Sequence, residues 1–182
     1  LCSGLASIKV WHVVATRIGK QSSWMLGMLL IAFGIVSLGL LEPNNTSFPF
    51  LVGAYLMATV GVAAINIAAP SILSDIVDYS EWRFGANFSG SFFSLYTLVI
   101  KANLALGVAL AFFVAGWYGY DPSASEHTPE SIVGLRMAVA WLPASLAVLS
   151  VLFIALIPIN ARRHSVITRR LKRLKSRASL SL

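Results

Sequence analysis

Four long apolar blocks set the first limit on how this chain can fold. Trp24–Leu41, Phe48–Leu73, Phe92–Tyr118 and Met137–Ile159 each approach or exceed the length a helix needs to cross a bilayer, ~18–20 residues. With no water in the hydrocarbon, backbone polar groups must bond within their own segment, and isolated runs of this length do so as helices. Only 12% of the residues are charged, about half the share found in a soluble domain. The expectation is an all-α transmembrane protein. A fifth, partial block over 1–14 looks like the tail of another span, and the chain starts at leucine. No signal-peptide layout of basic start, short apolar core and small-residue cleavage site is present. This reading predicts the later portion of a longer polytopic protein, with a helical half-bundle over 1–160 and a basic tail over 161–182.

The connectors alternate in sign. Arg17 and Lys20 lie between the first two blocks, and Glu42 is the only charge in the next connector. Arg83 lies in the third connector, approached by Asp75, Asp78 and Glu81. The fourth, Gly119–Val133, holds Asp121, Glu126 and Glu130 with no lysine or arginine. Eight of the fourteen basic residues follow Ile159. Because Lys and Arg in short loops set topology, connectors one and three and the C-terminus are expected to be cytoplasmic. The tail, with Arg162, Arg163, Arg169, Arg170, Lys172, Arg173, Lys175 and Arg177, reads as a contact for anionic lipids rather than nucleic acid, since it directly follows a span. Ile167, Leu171 and Leu174 add one apolar stripe of a short amphipathic helix.

Nothing in the chain has the layout of an enzyme site. The single cysteine, Cys2, allows no internal disulfide. His12, His127 and His164 have no second ligand at helical or hairpin spacing, so no metal site is expected. No glycine-rich phosphate loop precedes a helix.

Lys101 is the exception to the apolar pattern. No other charge occurs from Phe92 to Trp117, and a charge deep in a membrane helix usually faces a bundle interior or a watery cavity. About nine residues separate it from Phe92, roughly 14 Å of helix. A lysine stem reaches only about 6 Å, so snorkelling is the weaker of the two explanations. Gly90, Ser94, Thr97, Lys101 and Ala105 share one helical face. Such a stripe fits close helix packing or the wall of a cavity, but packing does not account for the lysine. Tyr96 borders it. Asn66 and Pro70, four residues apart, interrupt the preceding apolar block; proline removes a backbone hydrogen bond and kinks helices. Asn66 reads equally as an interhelical hydrogen bond or a substrate contact. Asp75, Asp78 and Glu81 form one acidic edge if that helix continues. Carboxylates are disfavoured near a helix C-terminus, so basic partners are expected, Arg83 or a residue of an absent segment. A gate or a set of solvated charges would both fit.

The run Asp75-Ile76-Val77-Asp78-Tyr79-Ser80-Glu81-Trp82, followed by Lys101 and by Gly119-Tyr120-Asp121-Pro122, resembles the C-terminal half of a glycoside–pentoside–hexuronide:cation symporter. This is the melibiose-carrier family of the major facilitator superfamily. The likeness runs from about Ile8 to Leu174, with the acidic segment as its specific part. Trp11 through Arg17-Ile18-Gly19-Lys20 is similar to the loop between the second and third helices of each facilitator half, although Thr16 stands where an aspartate is common. The resemblance implies the end of helix 8 and helices 9 to 12 of a twelve-helix bundle. It places Lys101 at a helix-11 lysine near the cation and sugar sites, and Tyr96 and Thr97 at positions lining the sugar pocket. Tyr96 stands where some members carry an amide, and Asn66 where another lining position is aromatic.

On this resemblance the parent protein is a secondary active transporter of the bacterial inner membrane. It would couple sugar or glycoside uptake to Na+ or H+ by alternating access, with no bound cofactor. Lys101 would pair with carboxylates of a missing N-terminal half when no cation is bound, and Asp75, Asp78, Glu81 and Arg83 would close the cytoplasmic side. A lysolipid or other amphiphile as cargo, or a non-transporting membrane fragment, are the alternatives.

Overall fold

A computed structural model describes residues 2–41, 48–124 and 126–156. The Glu42 connector, the end of the last apolar block beyond Leu156 and the basic tail lie outside the described residues. Everything regular within them is helical: α1 (Cys2–Ile18), α2 (Lys20–Gly39), α3 (Phe48–Phe84), α4 (Ser89–Trp117), α5 (Pro129–Arg136), a π-helical turn (Met137–Trp141) and α6 (Leu142–Ala155). Four spans are long and apolar enough to cross a membrane: α2, α3, α4, and α5 with the π-turn and α6 as one unit.

The helices run further than hydropathy alone places them. Arg17 and Lys20, expected in a connector, are both helical, and the α1–α2 link contracts to Gly19, whose φ of 92° a side chain would resist. α3 passes through Pro70 without a break and carries the acidic segment on to Phe84. Its 37 residues extend about 56 Å against a hydrocarbon core of roughly 30 Å, so its polar end projects out of the apolar layer. The last span starts at Pro129, not Met137, because Thr128 caps it: its hydroxyl accepts the Ser131 N–H at 3.2 Å, with proline in the first turn. The π-turn arises next to Pro143. A proline there can neither donate to nor accommodate the carbonyl four residues earlier, and the Leu142 N–H bonds instead to the Met137 carbonyl, five residues back.

α2 lies at the centre, packed along α3 on one side and α6 on another, while α1 rests against α3 and α2. The α2–α3 seam is made of small residues. A Cβ on Gly61 would sit 2.6 Å from the Gly27 carbonyl oxygen, and one on Gly34 would sit 2.8 Å from the Ala58 nitrogen. Ala54, Ala58, Gly61 and Ala64 supply the α3 side. In lipid, association depends on such close backbone approach because burial from water adds little. Trp11, Ala63 and Ala64 form a core cluster joined by Val14, Leu30, Val60 and Ile67, and the Trp11 indole donates to the Val60 carbonyl at 2.9 Å.

The link after α4 folds on itself. Gly119, at φ 73°, ends the helix with its N–H on the Gly116 carbonyl and the Tyr120 N–H on Ala115, a Schellman closure. Tyr120 stacks on His127 with ring centroids 4.9 Å apart. Hydrogen bonds from the Ser123 hydroxyl and N–H hold the Asp121 carboxyl below the usual carboxylate range, with His127 adding to the effect.

The seam makes a paired prediction. Gly61→Ala is expected to lower unfolding stability in detergent by about 1–3 kcal/mol through overpacking. Gly53→Ala, where an added Cβ meets nothing within 4 Å, is expected to be neutral or slightly stabilising. Thermal unfolding of the two variants side by side checks the contrast.

Candidate functional site

At the Gly19 end, the charge cluster is built by the corner between α1 and α2. Because α2 starts at Lys20, the lysine side chain reaches across to α3. Its Nζ lies 2.6 and 2.8 Å from the two Asp75 carboxylate oxygens and donates to the Ser71 carbonyl at 3.3 Å. The Asp75 side chain is only 10% exposed against 37% for Lys20, so the contact shields the carboxylate while the ammonium keeps some water. The basic partner of Asp75 is therefore Lys20 of the same bundle. Lys20 was not among the basic partners expected for the acidic edge, which were Arg83 or a residue of an absent segment. Arg83 instead donates to the Tyr79 hydroxyl at 3.3 Å and stacks over Phe84. Asp78 and Glu81 are half-buried further along α3.

The second feature lies on α4. Gly90, Phe93, Ser94, Thr97, Leu98 and Lys101 line one open depression. Of the stripe Gly90, Ser94, Thr97, Lys101 and Ala105 read from helical spacing, the first four share this concave face and Ala105 lies outside its lining; Phe93 and Leu98 form its greasy rims. The Ser94 hydroxyl donates to the Gly90 carbonyl at 2.6 Å and the Thr97 hydroxyl to Phe93 at 2.9 Å. Each hydroxyl has thereby placed its proton within the helix and presents lone pairs to an incoming donor. Lys101 is exposed, and its ammonium has no hydrogen-bond or carboxylate partner among the described residues. It stands twelve residues into α4, about 18 Å from the helix start.

The other expected ligand positions fall outside this lining. Tyr96 is half-buried on α4, and Asn66 is exposed on α3. No group of three or more metal-ligating side chains occurs among the described residues.

Three polar ties were not legible beforehand. Gln21 donates to the Ile154 carbonyl at 2.6 Å, satisfying a free acceptor at the end of α6. Arg136 donates to the Leu41 carbonyl at 3.0 Å, doing the same for α2 at the opposite end. The third is Trp11 on Val60. Residues from 49 to 133 positions apart meet in these bonds, and no local pattern announces them. The one available signal was the odd placement of long polar side chains at the ends of apolar blocks.

The sequence profile of a family described as MFS/sugar transport protein matches residues 1–161. The chain is 26% identical over 167 residues to a glucuronide carrier protein homolog of Escherichia coli (strain K12), covering 92% of this chain and 36% of that protein. It is 30% identical over 136 residues to a Salmonella typhimurium (strain LT2) protein named for sulfoquinovose import, covering 75% and 28%. An uncharacterized symporter of Synechocystis sp. (strain PCC 6803) is 26% identical over 175 residues, covering 93% and 32%. The chain spans about a third of the length of the curated relatives it matches.

Asp75→Asn removes the charge that orients Lys20 and is expected to cost about 1–3 kcal/mol of stability, as for a charge-assisted hydrogen bond. Exchanging the pair, Lys20→Asp with Asp75→Lys, should recover part of the loss. A double-mutant cycle by thermal unfolding in detergent measures the coupling.

Proposed function

The chain belongs to the MFS/sugar transport protein family, and from that premise we propose that it forms one helical half of a cation-coupled symporter for sugars bearing an acidic group. The observation that carries this reading is the unpartnered Lys101 ammonium in a depression it shares with Ser94 and Thr97. A cation held without a counter-charge at that depth is costly, so an anion is needed to complete the site. Two relatives are named for a glucuronide and for sulfoquinovose; the first compound carries a carboxylate and the second a sulfonate. Either would pair with the ammonium while sugar hydroxyls donate to the lone pairs of Ser94 and Thr97.

Transport then follows from an exchange of partners. With the site empty, Lys101 pairs with carboxylates of a second six-helix half. Entry of Na+ or H+ neutralises those carboxylates and releases the ammonium to the acid group of the sugar. Cation and sugar thereby raise each other's affinity, as linkage requires. The two halves rock about this midplane site. Tyr96 and Asn66 complete the sugar contacts once the second half is in place.

In this scheme Asp75 is a structural residue that pins α3 to α2 through Lys20. Asp78 and Glu81, beyond it on α3, are the carboxylates that close the cytoplasmic side against the other half, with Arg83 beside them. The protein is integral to the membrane and multi-pass. We place it in the bacterial inner membrane with its C-terminus in the cytoplasm, where the basic tail meets anionic lipids.

Uptake into vesicles of the full-length protein tests the proposal, with a neutral disaccharide, a glucuronide and sulfoquinovose each supplied with and without a Na+ or H+ gradient. The gradient should drive uptake of the acidic sugars alone. Lys101→Gln should reduce that uptake roughly 10–100-fold, the worth of a charge-assisted contact. Unchanged uptake and coupling in Lys101→Gln would reject the role of Lys101; gradient-driven uptake of the neutral sugar alone would reject the acidic-substrate class.

A further inference from the structure

The depression on α4 is graded along its length. At ~3.6 residues per turn, Gly90, Ser94, Thr97 and Lys101 fall within about 60° of one another, with Phe93 about 40° beyond on one flank and Leu98 about 40° beyond on the other. From the start of the helix the lining runs glycine, phenyl ring, two hydroxyls, ammonium. Polar recognition therefore occupies one end, and a flat apolar surface stands at the other. Gly90, three residues before Phe93, presents only backbone beside that ring. A second half closing over this face cannot alter the order or the spacing, because a single helix fixes both.

The spacing works as a ruler. Lys101 stands eight residues beyond Phe93, about 12 Å along the axis. Both side chains lean toward the start of the helix, so the ammonium and the ring stay roughly 10 Å apart. A single pyranose spans about 5 Å at ordinary bond lengths. An acid group held by Lys101 thus sets its own sugar ring beside Thr97 and Ser94 and leaves Phe93 untouched. In a hexose with an oxidised or sulfonated terminal carbon, that acid branches from one side of the ring oxygen and the anomeric carbon lies on the other. A substituent on the anomeric carbon then continues away from Lys101, toward Phe93.

Resting on the reading of Lys101 as the anchor for the acid group, we propose that Phe93 is the residue that selects the aglycone. Its ring stacks on a flat apolar group carried at the anomeric carbon, so an aryl glycoside of the acidic sugar is preferred to the same sugar with a small aglycone. The acid lies deep along α4 and the aglycone lies toward Ser89. Leu98, on the opposite flank, packs on the edge of the first ring and offers no flat face.

Uptake by the full-length protein in vesicles tests this, with KM measured for methyl and para-nitrophenyl glucuronides and for the matching pair of glucosides. The wild-type protein should show a KM for the nitrophenyl glucuronide about 3–10-fold below that for the methyl glucuronide, the scale of an aromatic contact. Phe93→Leu, which keeps apolar bulk and loses the flat face, should bring the ratio to about one, and Phe93→Tyr should retain the preference. A phenylalanine that only packed against the second half would shift both KM values together and leave their ratio alone. A wild-type ratio of one, or a ratio that Phe93→Leu leaves unchanged, would overturn the proposal while uptake of the glucuronides upheld the acidic-sugar reading. If the glucosides alone are taken up, the acidic-sugar reading falls, and the same ratio in the glucoside pair decides the role of Phe93. Uptake of neither series by the wild type would overturn both.

Discussion

Hydrocarbon offers no partner for a polar group, so every such group inside the membrane must be satisfied by the protein or by what the protein binds. The backbone meets this requirement through helix hydrogen bonds, and the side chains near the helix ends meet it by reaching to carbonyls left over where helices stop. Gln21 on Ile154 and Arg136 on Leu41 are two instances at opposite ends of the bundle. Lys101 departs from the pattern. It is the only charge on α4, and it faces an open depression with no counter-charge among the described residues. A group this costly to leave unpaired defines where the missing chemistry must be supplied.

The bundle is organised to leave that place open. α2 and α3 approach so closely at Gly27, Gly34 and Gly61 that ordinary side chains would not fit, and their ends are keyed by Lys20 and Asp75. This fixed block presents α3 and supports α6. α4 packs chiefly on α5 and the π-turn, with Tyr118 close against Gly134. In the proposed scheme, Lys101 stands on α4 at a site that alternates between two partners. Such a site works only if the two arrangements differ in their contacts.

Much of this was legible in the sequence, for a physical reason. Membrane helices declare themselves because apolar side chains and internal backbone bonding are both obligatory, so among the described residues each of the blocks at Trp24–Leu41, Phe48–Leu73, Phe92–Tyr118 and Met137–Ile159 is predominantly helical. The stripe Gly90, Ser94, Thr97 and Lys101 was readable because one helix fixes which residues share a face. Hydropathy failed where helices leave the apolar layer: it took Arg17 and Lys20 for a connector and ended α3 at Leu73, eleven residues short of Phe84. It could not foresee that Lys20 would reach Asp75, 55 residues away, because that contact depends on the one-residue corner at Gly19. The π-turn was invisible too, since a change of hydrogen-bond register leaves composition untouched. The small-residue seam carried a signal that hydropathy does not weigh: Gly27 and Gly34 are seven residues apart, facing Ala54, Ala58, Gly61 and Ala64.

The central claim is that Lys101 faces a watery, occupiable site rather than lipid. In the full-length protein with every native cysteine, Cys2 among them, replaced by serine, Lys101→Cys and Leu104→Cys can be compared for reaction with a charged, membrane-impermeant thiol reagent in sealed vesicles of either orientation. A thiolate reacts only where water and the reagent both reach it. The account predicts rapid labelling at position 101 from at least one side of the membrane and little at position 104. Equal inertness at both positions, from both sides, would place Lys101 against lipid and contradict it.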